Sequence, residues 1–338
     1  MKTFKFSLVA LIATALFTAC SNDEAVLPVN DEAQAISFRL QGGTPEIATR
    51  TTATTLPYVD AFVVYGTDDV YGATNDLIFD GVTVARDINK PGYAFAYAPT
   101  RYYDINAATA AFIAYSPASA KVVNVVTTDF WTPNPGEASF DYTVPAPDKT
   151  GNTVQEDLLV AIREKDAVAS TVSLEFEHAL ARIFVTASNS TKDPVFIDSL
   201  ILRNLKTTGT LEFDMSAGTK DWNPATATAD YAYILAPSGV AVDSSAVRVY
   251  VTTMEQGMMV LPQATVNTAV VTEFDNGDFA LQVNYRFSNL GIQKKFIMLP
   301  NNYPFEAGKQ YLINIEFAGT GIDFEIKVDP FGPLTPVN

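Results

Sequence analysis

Two residue types that commonly do chemistry occur once each in this chain of 338 residues: Cys20 and His178. A single imidazole cannot build a multi-histidine metal site, and a lone histidine is more often an orienting hydrogen-bond partner than a ligand. Asp275-Asn276-Gly277-Asp278 contains part of a calcium loop but lacks the spaced acids and closing glutamate that such a loop needs. Asn-Gly between alternating runs signals a hairpin turn instead. The 38 acidic residues include no spacing that singles out a carboxylate pair for glycoside hydrolysis. Trp131, Trp222 and the 15 tyrosines read first as core material and second as platforms for stacking sugars. Nothing here implies an enzyme, a cofactor or a metal. Cys20 differs, because its position suggests an anchor. It ends an apolar run, Phe6 to Phe17, that follows the basic Lys2 and Lys5. The run falls short of the roughly 20 residues that a membrane-crossing helix needs.

That segment resembles a bacterial lipoprotein signal. The resemblance makes residues 1–19 a removable signal peptide and Cys20 the lipidated first residue of the mature chain, held in the outer membrane by its lipid. Ser21-Asn22-Asp23-Glu24 resembles the acidic export tags of surface lipoproteins in Bacteroidetes. The competing reading is an ordinary secretory signal with an incidental cysteine.

Loss of residues 1–19 removes two lysines and leaves 20 basic against 38 acidic residues, a net charge of −18. A chain this acidic repels nucleic acid and anionic lipid headgroups. About 320 mature residues exceed what single cores reach, so two domains are expected. With no second cysteine, neither domain can be stapled by an internal disulfide. Charged residues make up 18% of the chain. That is below the roughly 25% usual for soluble domains, which leaves apolar surface for a partner.

The elements that would carry such a partner surface are strands. Ile36, Phe38 and Leu40 alternate with Ser37 and Arg39 before Gly42-Gly43 stops the run. Short apolar runs of the same kind recur to the end of the chain, each bounded by Gly, Pro, Asn or Asp. No window carries a convincing helical stripe, and 19 prolines and 18 glycines punctuate the sequence. The spacing predicts antiparallel β-sandwiches, with residues 20–34 as a tether, 35–178 as a first domain and 179–338 as a second.

Several fragments occur in a shared order: Val59-Asp60-Ala61-Phe62-Val63-Val64-Tyr65-Gly66, Phe112-Ile113-Ala114-Tyr115-Ser116-Pro117, Asp157-Leu158-Leu159-Val160-Ala161 and Phe176-Glu177-His178-Ala179-Leu180-Ala181-Arg182. Leu261-Pro262-Gln263, the run from Phe305 to Tyr311 and the closing run from Ile322 to Val328 complete it. Together they resemble the fimbrillin-like proteins of Bacteroidetes, subunits of type V pili. The resemblance implies two transthyretin-like β-sandwich domains and a surface fimbrium that supports adhesion to a host or bacterial surface ligand. It also implies assembly with other subunits by donor-strand exchange, triggered by an arginine-specific surface protease.

Carried onto this sequence, the displaced strand is Ile36, Phe38 and Leu40, and the cut falls at Arg50, within the small polar stretch from Ile47 to Thr54. A solvated arginine in an ordinary loop is the competing reading of Arg50. The donor strand is Ile322, Phe324, Ile326 and Val328, unless that run stays to close its own domain. Three prolines among the last ten residues spoil pairing beyond it, so stalk and tip positions both stay open. The alternative function is a monomeric surface lipoprotein that binds glycans, with a hydrolase as a more distant third.

Overall fold

The structure is a computed structural model that describes residues 35–41, 59–70, 76–87, 89, 94–127, 138–147, 155–166, 170–215, 217–235, 238–244, 248–252, 257–267, 277–288, 290–318 and 321–330. Cys20, the tether, Arg50, Trp131, Asp275, Asn276 and residues 331–338 lie outside the described residues. All regular structure among them is β, in 24 strands with no helix. They fall in one compact unit, Ala33–Asn338.

A six-stranded sheet forms the wall of the first half. Its order is β10 (Glu177–His178), β8 (Leu159–Asp166), β5 (Thr109–Ser116), β2 (Ala61–Asp68), β3 (Phe79–Arg86) and β4 (Phe95–Ala96). The central strands β2 and β5 are close to continuously apolar, AFVVYGTD and TAAFIAYS, because both of their faces are buried. On β5, Ala110, Phe112 and Ala114 enter one core while Ala111, Ile113 and Tyr115 enter another. Period-two alternation thus sorts one strand between two cores.

The smaller core is covered by β1 (Ser37–Leu40) and β9 (Thr171–Leu174), a separate two-stranded parallel sheet in the register Ser37↔Thr171 to Leu40↔Leu174. Ile36, Phe38, Val172, Leu174 and Phe176 meet Phe62, Val64, Phe79, Phe112 and Leu159 there. The opposite face of the wall belongs to the larger core, beside the four-stranded sheet β14 (Thr219–Pro224), β13 (Thr208–Asp214), β7 (Ala138–Thr143) and β6 (Val122–Thr127).

That four-stranded sheet draws strands from both sides of residue 178, since β7 pairs with β13 from Thr143↔Thr208 to Ala138↔Phe213. Gln155 adds a second tie. Its side chain accepts from Met259 N at 2.8 Å and donates to Pro145 O and Met259 O at 2.6 and 3.2 Å, as a strand backbone would.

The second half is built on two further sheets. One has the order β17 (Val249–Tyr250), β11 (Ala181–Asn189), β23 (Lys309–Ala318) and β24 (Gly321–Pro330), with β18 (Met258–Val260) also on β11. The other has β15 (Thr228–Ile234), β12 (Val195–Lys206), β20 (Ala280–Phe287) and β21 (Gln293–Met298), with β16 (Val240–Val242) also on β12. The pair β11 and β23 runs parallel; the two strands are far apart in sequence, so no tight turn constrains their direction. Buried positions on β12 run Val195, Ile197, Leu200, Leu202, Leu205, and the alternation is re-phased where the register shifts. A short pair, β19 (Gln263–Ala264) and β22 (Pro304–Phe305), completes the fold.

Candidate functional site

The residues around β1 are well seated on the smaller core. Ile36 and Phe38 point inward and are buried, Leu40 is partly buried, and Ser37 and Arg39 point out, as the alternation requires. Phe38 is only 6% exposed. Its ring stands edge-on to four others, Phe62, Phe79, Tyr97 and Phe112, with centroids 5.7, 5.2, 5.9 and 5.8 Å away. Edge-to-face contacts bring the positive rim of one ring to the negative face of the next, so the cage favours an aromatic occupant beyond simple burial. Phe62, Phe79 and Phe112 come from β2, β3 and β5, and Tyr97 from just after β4.

Backbone attachment of this segment is much thinner than its side-chain seating. Strand β1 pairs only with β9, over four residues, apart from an isolated bridge between Ala35 and Tyr102. Ile36 N donates to Arg101 O at 2.9 Å, and Ser37 N and Gln41 N donate to Ser170 O and Leu174 O, both at 2.8 Å. The Tyr97 hydroxyl donates to Ile36 O at 2.6 Å. Burial raises the pKa of that hydroxyl above the ordinary phenol value, which keeps it a donor. Outside, Ser37 Oγ lies 3.0 Å from Thr171 Oγ1, and Arg39 Nε donates to Ser173 Oγ at 2.5 Å.

Strand β24, at the other end of the chain, has the opposite character. It lies at the edge of its sheet and pairs over ten residues with β23, placing Ile322, Phe324, Ile326 and Val328 beside the buried Phe317, Ile315, Ile313 and Tyr311. Yet Phe324 is 43% and Val328 46% exposed, while Ile322 and Ile326 are only partly covered. Backbone pairing here is long and side-chain seating poor.

The other expected residues are placed as follows. His178 Nδ1 lies 2.7 Å from Asp157 Oδ2, on the short β10 that borders β8. It shares a cleft of about 660 Å³ with Phe176, Glu177, Lys220, Trp222 and Gly308. Within that cleft Lys220 pairs with Glu177 at 2.6 Å, and Trp222 spends its indole N–H on Ala179 O at 2.7 Å. Among the described aromatics only Tyr102 and Phe324 are exposed. Among the described residues no three His, Cys, Asp or Glu side chains converge on a metal position, and no helix is long and apolar enough to cross a membrane.

Sequence reasoning missed the cage. Phe79 stands on a segment too interrupted by Asp and Gly to read as a core wall, and Tyr97 ends a run too short to reveal what it faces. No local signal could have found it, because phenylalanine is no more concentrated around these residues than near the end of the chain.

The comparisons with known proteins agree on the fold. A crystal structure of a fimbrial protein from Bacteroides vulgatus matches with a TM-score of 0.57 at 14% identity, over 88% of this chain and 99% of that one. A candidate cell adhesion protein from Bacteroides uniformis matches with a TM-score of 0.53 at 19% identity, again over 88% of this chain and 99% of the other. No curated protein matches the sequence. The fimbrillin-like family model matches residues 49–330, most of the chain from just beyond the glycines after β1 to the end of β24, and the protein is therefore a member of the fimbrillin-like family.

Proposed function

We propose that the chain is a non-enzymatic subunit of a surface fimbrium that supports adhesion and joins its neighbours by strand exchange, with β1 as the strand that leaves. One observation carries the reading: β1 fills a deep aromatic cage while being hydrogen-bonded as a strand along one short edge. A segment so bound is held by side chains that another strand can reproduce, and its loss exposes the unpaired edge of β9. Cleavage at Arg50 by an arginine-specific protease severs β1 from the rest of the chain, leaving residues 51–178 as the acceptor half and 179–338 as the second. Lipidation at Cys20 holds the precursor at the outer membrane until that cut. Stalk and tip positions are both compatible with this scheme.

Limited trypsin treatment of the full precursor tests it. The expected result is one early cut after Arg50, release of a peptide containing Ile36 to Leu40, and a ladder of oligomers; Arg50→Gln gives neither peptide nor ladder. Cutting that leaves a stable monomer after the peptide has dissociated refutes strand exchange. Metabolic labelling with a fatty acid, lost in Cys20→Ala, tests the anchor.

A further inference from the structure

We propose that the cleft between β10 and β14 is a saccharide site that takes a neutral sugar ring against Trp222, with the sugar's hydroxyls on Glu177 and Lys220. This rests on the adhesion reading above, for which it names a ligand class, and is independent of strand exchange.

The site is built where two sheets end. Strands β10 and β14 stand last in the six-stranded and four-stranded sheets. The cleft between them holds about 660 Å³, within the roughly 300–1,000 Å³ of small-ligand sites. Val160, Ala179 and Leu211 line it with buried apolar side chains. Lys220 and Trp222 lie two residues apart on β14 and therefore share one face of it. Two glycine turns also line the cleft. A Cβ at Gly218 would meet nothing within 4 Å, and one at Gly308 only His178 O at 3.7 Å, so both turns leave space beside the ring.

The groups that would hold a ligand are already fixed. Trp222 packs against the larger core and its indole N–H donates to Ala179 O at 2.7 Å, so the ring cannot turn without losing that bond. Lys220 Nζ donates to Glu177 Oε2 at 2.6 Å. The lysine side chain is 17% exposed and the glutamate 59%. A donor therefore lies recessed beside the ring, and an acceptor stands at the mouth. Groups held in place beforehand need no ordering when a ligand arrives, which lowers the cost of binding.

A neutral sugar is what this set accepts. A pyranose has an apolar C–H face, which suits a flat aromatic ring. Its hydroxyls both donate and accept, which suits an ammonium beside a carboxylate. An anionic ligand would meet Glu177 in a chain of net charge −16, and a cationic one would meet Lys220. An extended peptide would have to lie along the edge of β10 or β14. The links from Trp222 to Ala179 and from Lys220 to Glu177 cross the space that it needs.

Sugar titration tests this in the chain from residue 20 onward carrying Cys20→Ser. The neutral probes are the methyl glycosides of glucose, galactose, mannose and N-acetylglucosamine, and glucuronic acid is the anionic one. Trp131→Phe leaves Trp222 as the only tryptophan, so its emission reports the cleft directly, and calorimetry on the chain with both tryptophans checks the affinity. At least one neutral glycoside is expected to shift the emission saturably, and glucuronic acid to leave it unchanged. Glu177→Gln is expected to weaken that binding about tenfold, the loss of one charge-assisted hydrogen bond. Its melting temperature should stay the same, because an ion pair with so exposed a partner contributes little to stability. Binding that Glu177→Gln leaves intact, tighter binding of glucuronic acid, or no binding of any neutral glycoside overturns the assignment. Beads coated with the protein and settled on a mucin surface read adhesion separately. Adhesion that Glu177→Gln does not change removes the cleft from it while the adhesion reading stands. Sugar binding without bead adhesion overturns the adhesion reading while the cleft assignment stands.

Discussion

Replacing Phe38 by alanine asks how much of the hold on β1 resides in one side chain. The ring is 6% exposed and meets four others edge-on, so the substitution removes most of a fully buried phenylalanine and leaves a void between Phe62, Phe79, Tyr97 and Phe112. Burying a phenylalanine and then deleting it typically costs about 3–5 kcal/mol, and each edge-to-face pair contributes roughly 0.5–1.5 kcal/mol within that. The lower end applies here, because a strand held by one four-residue edge detaches before the void has to be borne by the rest of the molecule. A loss of about 3 kcal/mol multiplies the population with β1 detached on the order of 100-fold. Amide hydrogen exchange reads this directly at Ser37, Gln41 and the β9 amides, which should lose protection together while β13 and β20 keep theirs. Phe140→Ala, in the larger core and away from β1, should lower overall stability without selectively exposing β1. If Phe38→Ala changes exchange at Ser37 and Gln41 by less than about fivefold, roughly 1 kcal/mol, side-chain seating is not what retains β1 and the reasoning fails.

Two other perturbations probe the walls of the same region. A methyl group at Gly66 would run into the Phe112 ring and lie 3.0 Å from Ala111 O. Gly66→Ala should therefore cost about 1–3 kcal/mol in thermal or denaturant melts and also loosen the Phe38 cage; a neutral outcome would mean that Phe112 can move freely. Burial pushes the hydroxyls of Tyr115 and Tyr231 up to about 12, above the ordinary value of 10.0 that they regain on unfolding. The uncharged form is therefore favoured by the fold. This stability is fully present below about pH 10 and is lost as pH rises toward 12. Tyr115→Phe should flatten that loss in alkaline melts followed by tyrosinate absorbance.

Much of the fold was readable because strand faces alternate. Ile36, Phe38 and Leu40 against Ser37 and Arg39 marked β1, and the observed burial follows the same alternation. Strand β3 is not readable from the sequence, because Asp80 and Gly81 interrupt its pattern. Gly81 takes a positive φ of 62°, and the β2–β3 register shifts nearby, as at a bulge. Strand boundaries are blurred for a related reason. Val59 is fully buried but precedes β2, so apolarity alone starts the strand two residues too early. The cage around Phe38 was not readable at all, because its members lie on separate segments spread from Phe62 to Phe112 and only pairing registers bring them together. The parallel direction of β1 on β9 escaped for the same reason: the pattern of one strand fixes its face but not its orientation.

Because Ala110, Phe112 and Ala114 of β5 serve one core while Ala111, Ile113 and Tyr115 serve the other, emptying the first chamber leaves the partition between them anchored from behind. If β1 leaves as proposed, the subunit is hollow on one side but still standing on the other.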